Sequence, residues 1–387
     1  MDNNVSLLLQ KILGCALGSP TRDDALFSSI DSETLTKLYT LSKSHDLAHV
    51  VYDVLQGYSY MQESPIGMKF QKQKAIATYR YAGIQCELES ACALLEKEKI
   101  AYMPLKGSVI RDYYPNPEMR TSSDIDILIH PEDLERASLA FQKELQYSFA
   151  KRSTHDISLF SPGGVHLELH FSLSENDLKL DAVLMGAWQS AVLQEGFSYR
   201  FRMSNEMFYT YCVSHMAKHF VGGGCGIRPF MDLWIIEQKM GYDKENAAKL
   251  LSLCALTTFA QRAMQLTNVW FANEKPTELL SEMEEYVLGG GVFGSVENGI
   301  AIATEKQGSR LRYALGRIFL SIDILKLRYP KLEKYPILYP YYLVVRWFRV
   351  LFGKDRKNAF RELGKTASME ETKKQKISLL CKNLELI

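Results

Sequence analysis

Hydrophobic residues over the first 98 positions of the chain recur every three or four residues, which is the spacing of an amphipathic helix. The stretches SLLLQKILGCAL (residues 6–17) and SETLTKLYTLSKSHDLAHVVYDVLQ (residues 32–56) show this spacing most clearly. The same spacing predicts one long helix over residues 68–98. We therefore predict an N-terminal helical region over residues 1–98.

After residue 98 the pattern changes to short runs of alternating apolar and polar residues, as expected of β-strands. The predicted strands are IAYMPL (100–105), SDIDILI (123–129), YSFAKR (147–152), DISLFS (156–161), VHLELHF (165–171) and, at the edge of the sheet, FSYRFRM (197–203). Helices are predicted at GSVIRDYY (107–114) and at PEDLERASLAFQKEL (131–145), where a proline stands at the helix start. Residues 99–203 are therefore predicted to form a small α/β core with a mixed β-sheet.

Residues 204–364 return to helical spacing and are predicted to form a C-terminal helical domain. A charged tail over residues 365–387 is expected to fray in part. The sequence GGGVFG (289–294) satisfies the GxGxxG pattern of dinucleotide-binding loops, but a helical segment precedes it where such a site requires a strand. We predict a simple loop there. The fold class is α+β, with a small mixed sheet flanked by N-terminal and C-terminal helical regions.

The composition and charge of the chain limit which classes of partner and which cellular compartment we expect. The 387 residues carry a net charge of +1, so nothing in the overall charge favours nucleic acid as a partner. The N-terminus has no basic region before its apolar run, and no apolar stretch reaches the length of about eighteen residues typical of a membrane span. Seven scattered cysteines without a CxxC pair fit reduced thiols. We expect a cytoplasmic protein without a transmembrane helix.

Three carboxylates stand in two of the predicted strands. Asp124 and Asp126 are two residues apart, so their side chains share one face of their strand, and Glu168 occupies the same kind of position in VHLELHF. If the two strands are neighbours, the three acids converge. Divalent cations make such a cluster of like charges tolerable, and carboxylate oxygens suit Mg²⁺ or Mn²⁺. We predict these acids as metal ligands; two solvent-facing aspartates on an edge strand are the alternative.

Lys106, Gly107 and Ser108 lie between a predicted strand and a predicted helix. Glycine lets the backbone approach a phosphate closely, and Ser108 with the helix N-terminus can donate hydrogen bonds to it. Lys106 and Arg120 are candidate counter-charges. An ordinary strand-to-helix turn would explain Gly-Ser alone. The order of strand, Gly-Ser, helix, Asp-x-Asp and a third acid favours a phosphate site.

This arrangement resembles the DNA polymerase β-like nucleotidyltransferase superfamily, whose signature combines Gly-Ser, Asp-x-Asp and a later acid. The stretches similar to its bacterial group of uncharacterised nucleotidyltransferases are PLKGSVIRDYYPNPEMRTSSDIDILI, ELH, HMAKH, IRPFMDL, LGGGVFG and YPKLEKYPILYPYYLVVRWFR. The resemblance runs over roughly residues 5–355. Fifteen residues separate Ser108 from Asp124, slightly more than in the general signature.

The resemblance implies transfer of a nucleoside monophosphate from an NTP, with ATP as the working assumption, to a hydroxyl of a small molecule or a protein. Pyrophosphate would be released, and two Mg²⁺ or Mn²⁺ ions would serve as cofactors. Gly107 and Ser108 would hold the triphosphate. Asp124 and Asp126 would bind the metals, with Glu168 as the third acid. A non-catalytic nucleotide-binding relative and a DxD glycosyltransferase are the alternatives.

A further group of polar residues is predicted to line an acceptor cleft beside the acids. These residues are His170, His215, His219, Arg228 and Asp232. HMAKH (215–219) lacks the glutamate of an HExxH zinc protease, so that reading is excluded. For His215, His219, Arg228 and Asp232 a packing role is an equal alternative. His170 is expected to orient the acceptor or to hydrogen-bond Glu168, with a packing or surface role as its alternative.

The segment over residues 329–361 combines basic and aromatic side chains. Its basic residues include Arg346, Arg349, Lys354, Arg356 and Lys357. Such a segment suits a membrane surface or RNA, but we favour an amphipathic helix packed on its own domain, with the arginine heads reaching solvent.

Overall fold

A computed structural model describes residues 2–19, 22–173, 178–292, 294–308, 312, 315–316, 318–329, 331–352 and 371–387. Within these residues a five-stranded mixed sheet has helices before it and after it in the chain. This arrangement confirms the predicted α+β class. None of the helices in the described part of the chain combines the length and hydrophobicity needed to cross a bilayer.

The N-terminal helices pack their periodic apolar residues into a common core. They are α1 (Asn3–Ala16), α2 (Asp24–Ser28), α3 (Ser32–Ser44), α4 (Ala48–Leu55), α5 (Ser59–Glu63) and α6 (Pro65–Lys97). Leu9, Leu38 and Val50 are fully buried, as the three- and four-residue spacing predicts. The long helix begins at Pro65, earlier than predicted, because Ser64 accepts a hydrogen bond from the Gly67 amide and proline suits the first helical turn.

The sheet consists of β1 (Tyr102–Pro104), β2 (Asp124–Ile129), β3 (Ser148–Arg152), β4 (Asp156–Phe160) and β5 (His166–His170), in the order β1-β2-β5-β4-β3. The β2–β5 pair is parallel and the remaining pairs are antiparallel. Helix α8 (Leu134–Glu144) packs Phe141 in one cluster with Ile125, Ile127 and Ile129. One face of β2 is therefore fixed in the core, and its aspartates face the other way.

Several elements of the core are shorter than predicted, among them one helix and the edge strand. The helix predicted over residues 107–114 is α7 (Gly107–Ile110) followed by a 3₁₀ turn at Arg111–Tyr113. The predicted edge strand over residues 197–203 reduces to β7 (Phe201–Arg202), which pairs with β6 (Val192–Leu193) in a separate two-stranded sheet. The remaining elements here are 3₁₀ turns at Pro117–Met119, Pro131–Asp133 and Met185–Ala187, and α9 (Leu178–Leu184).

The remaining regular elements of the described chain are helices and short helical turns. They are α10 (Asn205–Gly222), α11 (Arg228–Ile235) with a π-helical continuation at Ile236–Met240, α12 (Lys244–Leu253), α13 (Thr257–Phe271), α14 (Glu278–Gly290), α15 (Val296–Gln307), α16 (Ile322–Arg328), α17 (Lys331–Lys334), a 3₁₀ turn at Pro336–Leu338, α18 (Tyr339–Phe352) and α19 (Glu371–Asn383). Residues 371–383 of the predicted tail form α19, and residues 365–370 lie outside the described residues, so the partial fraying expected of the tail stays a prediction. Leu380 and Cys381 of α19 are buried in the main core.

The glycine-rich stretch GGGVFG begins inside helix α14, whose last two residues are Gly289 and Gly290, so the predicted loop starts only after Gly290. Two of its later glycines serve close backbone packing. Gly291 has φ +65°, which favours glycine. A Cβ on Gly294 would lie 2.3 Å from the carbonyl of Gly223, so the two glycine-rich segments touch through their backbones. The preceding element is helical, as the loop prediction assumed; Phe293 of this stretch lies outside the described residues.

Candidate active site

The parallel pairing of β2 with β5 brings the predicted acids together. Asp126 lies opposite Glu168, and Asp124 lies opposite His166. Directly opposed residues on adjacent strands project from the same face of the sheet. The sequence-based expectation that these two strands are neighbours is thus correct. Asp126 is only 4% exposed, whereas Asp124 and Glu168 are partly exposed.

Asp126 is held by two positively charged groups. Lys106 Nζ and His170 Nε2 each lie 2.8 Å from Asp126 Oδ1, and both donate to it. Burial alone would raise the pKa of Asp126, but the charge of Lys106 and the hydrogen bond from His170 hold it well below its usual value. Asp126 therefore stays ionised.

His170 joins Asp126 to the third acid. Its Nε2 lies 3.3 Å from Glu168 Oε2 as well as 2.8 Å from Asp126 Oδ1. Burial by itself would lower the pKa of His170, yet the hydrogen bonds to Asp126 and Glu168 raise it to about 9. The imidazolium form thus neutralises part of the acidic cluster.

The pKa of Asp124 shifts in the opposite direction to that of Asp126. Burial, followed by repulsion from Asp126, raises the pKa of Asp124, and Lys106 opposes the shift. Two nearby carboxylates therefore differ in how strongly the fold favours their charged form. This asymmetry is typical of a site whose full charge is compensated only when a cation is bound.

Lys106 reaches Asp126 from a strained turn. Its backbone has φ 45° and ψ −121°, a conformation that favours glycine. Burial would lower the pKa of Lys106, but its interactions with Tyr211 and with the charged carboxylate of Asp126 outweigh this effect and raise that pKa. Strain of this kind persists only where the surroundings fix it, and it is frequent at functional sites.

A buried arginine that the sequence analysis missed fixes the Gly-Ser turn. Arg111 is 1% exposed; its Nε donates to the Gly107 carbonyl at 2.6 Å and its Nη2 to Ser122 Oγ at 2.8 Å. Burial and the neighbouring charge of Arg120 lower the pKa of Arg111 to about 10. No sequence signal separates this arginine from one on the exposed face of a helix.

Gly107 and Ser108 border two different cavities. Gly107 borders the same cleft as the acids. Ser108 is buried and borders a second cavity of about 310 Å³, beside Cys92 and Arg200. The structure thus brings Gly107, but not the side chain of Ser108, to the acids.

Arg120 and Asp232 form a bidentate ion pair. Arg120 Nε lies 2.7 Å from Asp232 Oδ1, and Nη2 lies 2.8 Å from Asp232 Oδ2. Arg120 Nη1 donates to the Thr121 carbonyl, and Tyr114 donates its hydroxyl proton to Asp232 at 2.6 Å. The predicted phosphate ligand Arg120 therefore links the core to helix α11.

The other predicted cleft residues lie on α10 and α11. His215 and His219 are one helical turn apart with their Nε2 atoms 3.1 Å from each other. Burial and the charge of Lys106 lower the pKa of His215 well below its usual value, so this ring is neutral. Arg228 pairs with Asp46 at 2.7 Å.

A cleft of about 650 Å³ brings these groups into one space. Its lining includes Lys106, Gly107, Arg120, Asp124, Asp126, Glu168, His170, His215, His219, Arg228 and Asp232. It also includes Ser153, His155, Asp156 and Tyr211, which the sequence analysis did not select. Asp156 pairs in register with His170, which could be inferred only after the β4–β5 pairing was known.

The donor set fits a divalent cation. Ligand atoms of Asp126, Glu168 and His170 lie within 4.8 Å of one another, and Asp124 stands on the same strand face as Asp126. Carboxylate oxygens are suitable ligands for hard cations such as Mg²⁺. Protonated His170 serves better as a donor that orients Asp126 and Glu168 than as a ligand.

Comparisons with known proteins bear on the family. No curated protein matches the chain. A solved structure, an antigenic nucleotidyltransferase-like protein from Paracoccidioides brasiliensis, is similar over 50% of this chain and 91% of that protein, with 15% sequence identity and a TM-score of 0.28. The sequence matches the family described as uncharacterised nucleotidyltransferase over residues 31–272, a shorter span than the predicted resemblance but more than half of the chain. The chain therefore belongs to the uncharacterised nucleotidyltransferase family.

Proposed function

We propose that the protein transfers a nucleoside monophosphate from an NTP, with ATP as the first candidate, to a hydroxyl of a small molecule or a protein. Membership of a nucleotidyltransferase family supports the general reaction. The observation that carries the proposal is the register of β2 with β5, which sets Asp126 opposite Glu168 in the cleft that Asp124, Lys106 and Gly107 border.

Asp124, Asp126 and Glu168 would hold the divalent cations, Mg²⁺ or Mn²⁺, of which we propose two. When bound, such ions neutralise phosphate charge and favour ionisation of the acceptor hydroxyl. The raised pKa of Asp124 supports this role, because an additional positive charge would favour its ionised form.

Some side chains of the site would contact the phosphates of the NTP, and others would act on the acceptor hydroxyl. The ammonium of Lys106, held at 2.8 Å from Asp126, would be the positive charge nearest the phosphates, and Gly107 would allow their close approach. Glu168 would accept the proton of the acceptor hydroxyl, while His170 keeps Glu168 and Asp126 oriented.

In the proposed reaction, the acceptor oxygen forms a bond to the α-phosphorus, and the bond from that phosphorus to the bridging oxygen of the β-phosphate breaks. Pyrophosphate leaves with the electron pair of the broken bond. The hydroxyl proton passes to Glu168 and then to solvent.

Calorimetric titration tests the proposal. Wild type and Asp124→Asn/Asp126→Asn would be titrated with non-hydrolysable analogues of all four NTPs, with and without Mg²⁺. Asp112→Asn is the matched control, because Asp112 is exposed and outside the acid cleft. We expect Mg²⁺-dependent binding in wild type and control and its loss in the double variant.

The remaining outcomes would each oppose the proposal. If the double variant still binds the nucleotide, the nucleotide site lies in another part of the chain. Binding without pyrophosphate release for any acceptor would favour a non-catalytic nucleotide-binding protein. Preference for a nucleotide sugar over every NTP would favour the glycosyltransferase alternative.

A further inference from the structure

Among the described residues, helix α18 packs against α16 and α17 through one of its sides. Leu343 on that side is buried with Leu325 of α16 and Leu332 of α17 in a small cluster of their own. The ring of Tyr342 stacks on Tyr329 with the centroids 4.5 Å apart. This contact confirms packing for one face of the basic aromatic segment.

The opposite side of α18 exposes a continuous apolar stripe. Tyr341, Val344, Phe348 and Phe352 are between 43% and 76% exposed, and their spacing of three, four and four residues places them along one line of the helix. Ile337, in the turn before the helix, continues the line and is 86% exposed. We call these five residues the α18 stripe.

The segment that carries the stripe has a positive net charge. Residues 321–352 carry six basic and two acidic side chains, a net charge of +4 in a chain whose overall net charge is +1. Lys331, Lys334 and Arg349 are exposed. The chain's excess of positive charge is thus concentrated in the segment that carries the α18 stripe.

We propose that the α18 stripe docks onto an anionic lipid surface. A helix with large apolar side chains on one line and basic residues beside it lies in the plane of the interface, where the apolar groups enter the acyl boundary and the cations meet lipid phosphates. Helix α18 has 14 residues, about 21 Å, too short to cross a hydrocarbon layer of about 30 Å. The charge complementarity favours anionic lipid over an apolar groove of a protein partner.

This inference goes beyond the proposed transferase function and does not depend on it. It adds a location for the reaction, at a lipid surface, without specifying the acceptor. The basic residues Lys354, Arg356 and Lys357 lie outside the described residues, and the proposal does not use them.

Vesicle flotation of the full chain tests the proposal. Vesicles of phosphatidylcholine alone would be compared with vesicles containing roughly 30% phosphatidylglycerol, at salt concentrations of about 0.1 M and about 0.5 M. The stripe variant is Phe348→Ser/Phe352→Ser, and the charge variant is Lys334→Gln/Arg349→Gln. Tyr79→Ser/Leu253→Ser is the control, because these residues are 84% and 66% exposed on other helices.

We expect wild type and control to float with anionic vesicles at low salt and to be released at high salt. Each test variant is expected to bind at least about tenfold more weakly, since every buried apolar side chain and every nearby cation contributes to such binding. Circular dichroism and Mg²⁺-dependent nucleotide binding should stay unchanged in both variants, which separates this proposal from the proposed function.

Three results would overturn the proposal. Failure of the wild-type protein to float with anionic vesicles would contradict the proposal directly. A stripe variant that binds vesicles like wild type would assign the binding to another surface. A wild-type dimer in light scattering that the stripe variant converts to a monomer would show that a second copy covers the stripe.

Discussion

Lys106 Nζ and His170 Nε2 both lie 2.8 Å from Asp126 Oδ1, although the two residues belong to different elements of the core. One comes from the turn after β1 and the other from the last residue of β5. Asp126 is therefore the residue through which the turn after β1 and strand β5 are joined. Its removal should affect both stability and chemistry, whereas removal of Asp124 should affect chemistry alone.

The two aspartates give the first prediction. Asp126→Asn should lower the free energy of unfolding by about 3 kcal/mol, because Lys106 and His170 lose the buried carboxylate that they share, although His170 keeps its contact with Glu168. Asp124→Asn should leave stability unchanged or raise it, since burial and Asp126 disfavour its charged form. Both should reduce pyrophosphate release by about 100-fold or more.

Urea denaturation and a pyrophosphate assay on the same protein preparations check this prediction. Equal destabilisation by both substitutions would contradict the charge balance described for Asp126. Full activity in either folded variant would remove that carboxylate from the proposed metal site.

The backbone of Lys106 gives a second prediction. At φ 45° and ψ −121°, a glycine is unstrained and an alanine is not. Lys106→Gly should therefore be more stable than Lys106→Ala by about 1 kcal/mol, although both lack the ammonium that contacts Asp126. Chemical denaturation of the two variants measures the difference. An alanine variant as stable as the glycine variant would show that the turn relaxes.

The acids could be predicted from sequence because they depend on local alternation and on one strand pairing. Asp124 and Asp126 share a face by the two-residue period, and β5 carries Glu168 in the matching register. Ile125, Ile127 and Ile129 occupy the core-facing positions of β2, which leaves the opposite face of the strand for the two aspartates. A strong local pattern thus specified the centre of the site.

The surroundings of the acids could not be predicted in the same way. Arg120 meets Asp232 across 112 residues of sequence, and only the packing of α11 against the core brings them together. Ser108 borders a cavity other than the one that holds the acids, and the backbone conformation of Lys106 before it is not one that a sequence pattern predicts. Arg111 is buried by contacts with Gly107 and Ser122, which no periodic pattern records.

The Arg120–Asp232 pair gives a third prediction, on the role of Arg120. Asp232→Asn should lower the free energy of unfolding by about 3 kcal/mol, because it leaves a buried guanidinium unpaired, and Arg120→Met/Asp232→Leu should recover much of that loss. Since Arg120 already bonds Asp232 and the Thr121 carbonyl, the double variant should keep its nucleotide affinity within about threefold. Thermal denaturation and calorimetry measure the two quantities. A large loss of affinity in the stable double variant would instead assign Arg120 to the phosphates.

The last prediction concerns pH and two histidines outside the acidic cluster. His45 and His49 are buried, and each contacts a backbone carbonyl at 3.2 Å through Nε2. Burial lowers the pKa of each to about 4, from 6.5 in the unfolded chain. Above pH 6.5 both rings are neutral in the folded and unfolded states, so they add no pH dependence.

As the pH falls from 6.5 to about 4, the unfolded chain binds protons at these rings that the folded chain does not bind. The free energy of unfolding should therefore decrease through this window, by roughly 2–3 kcal/mol for each histidine. Denaturation at pH 7.0 and at about pH 5 would be compared for wild type, His45→Gln and His49→Gln. Each substitution should flatten the slope, since glutamine keeps a donor for the carbonyl but does not titrate. A slope that neither substitution changes would mean that other groups, such as the carboxylates, control stability in this range.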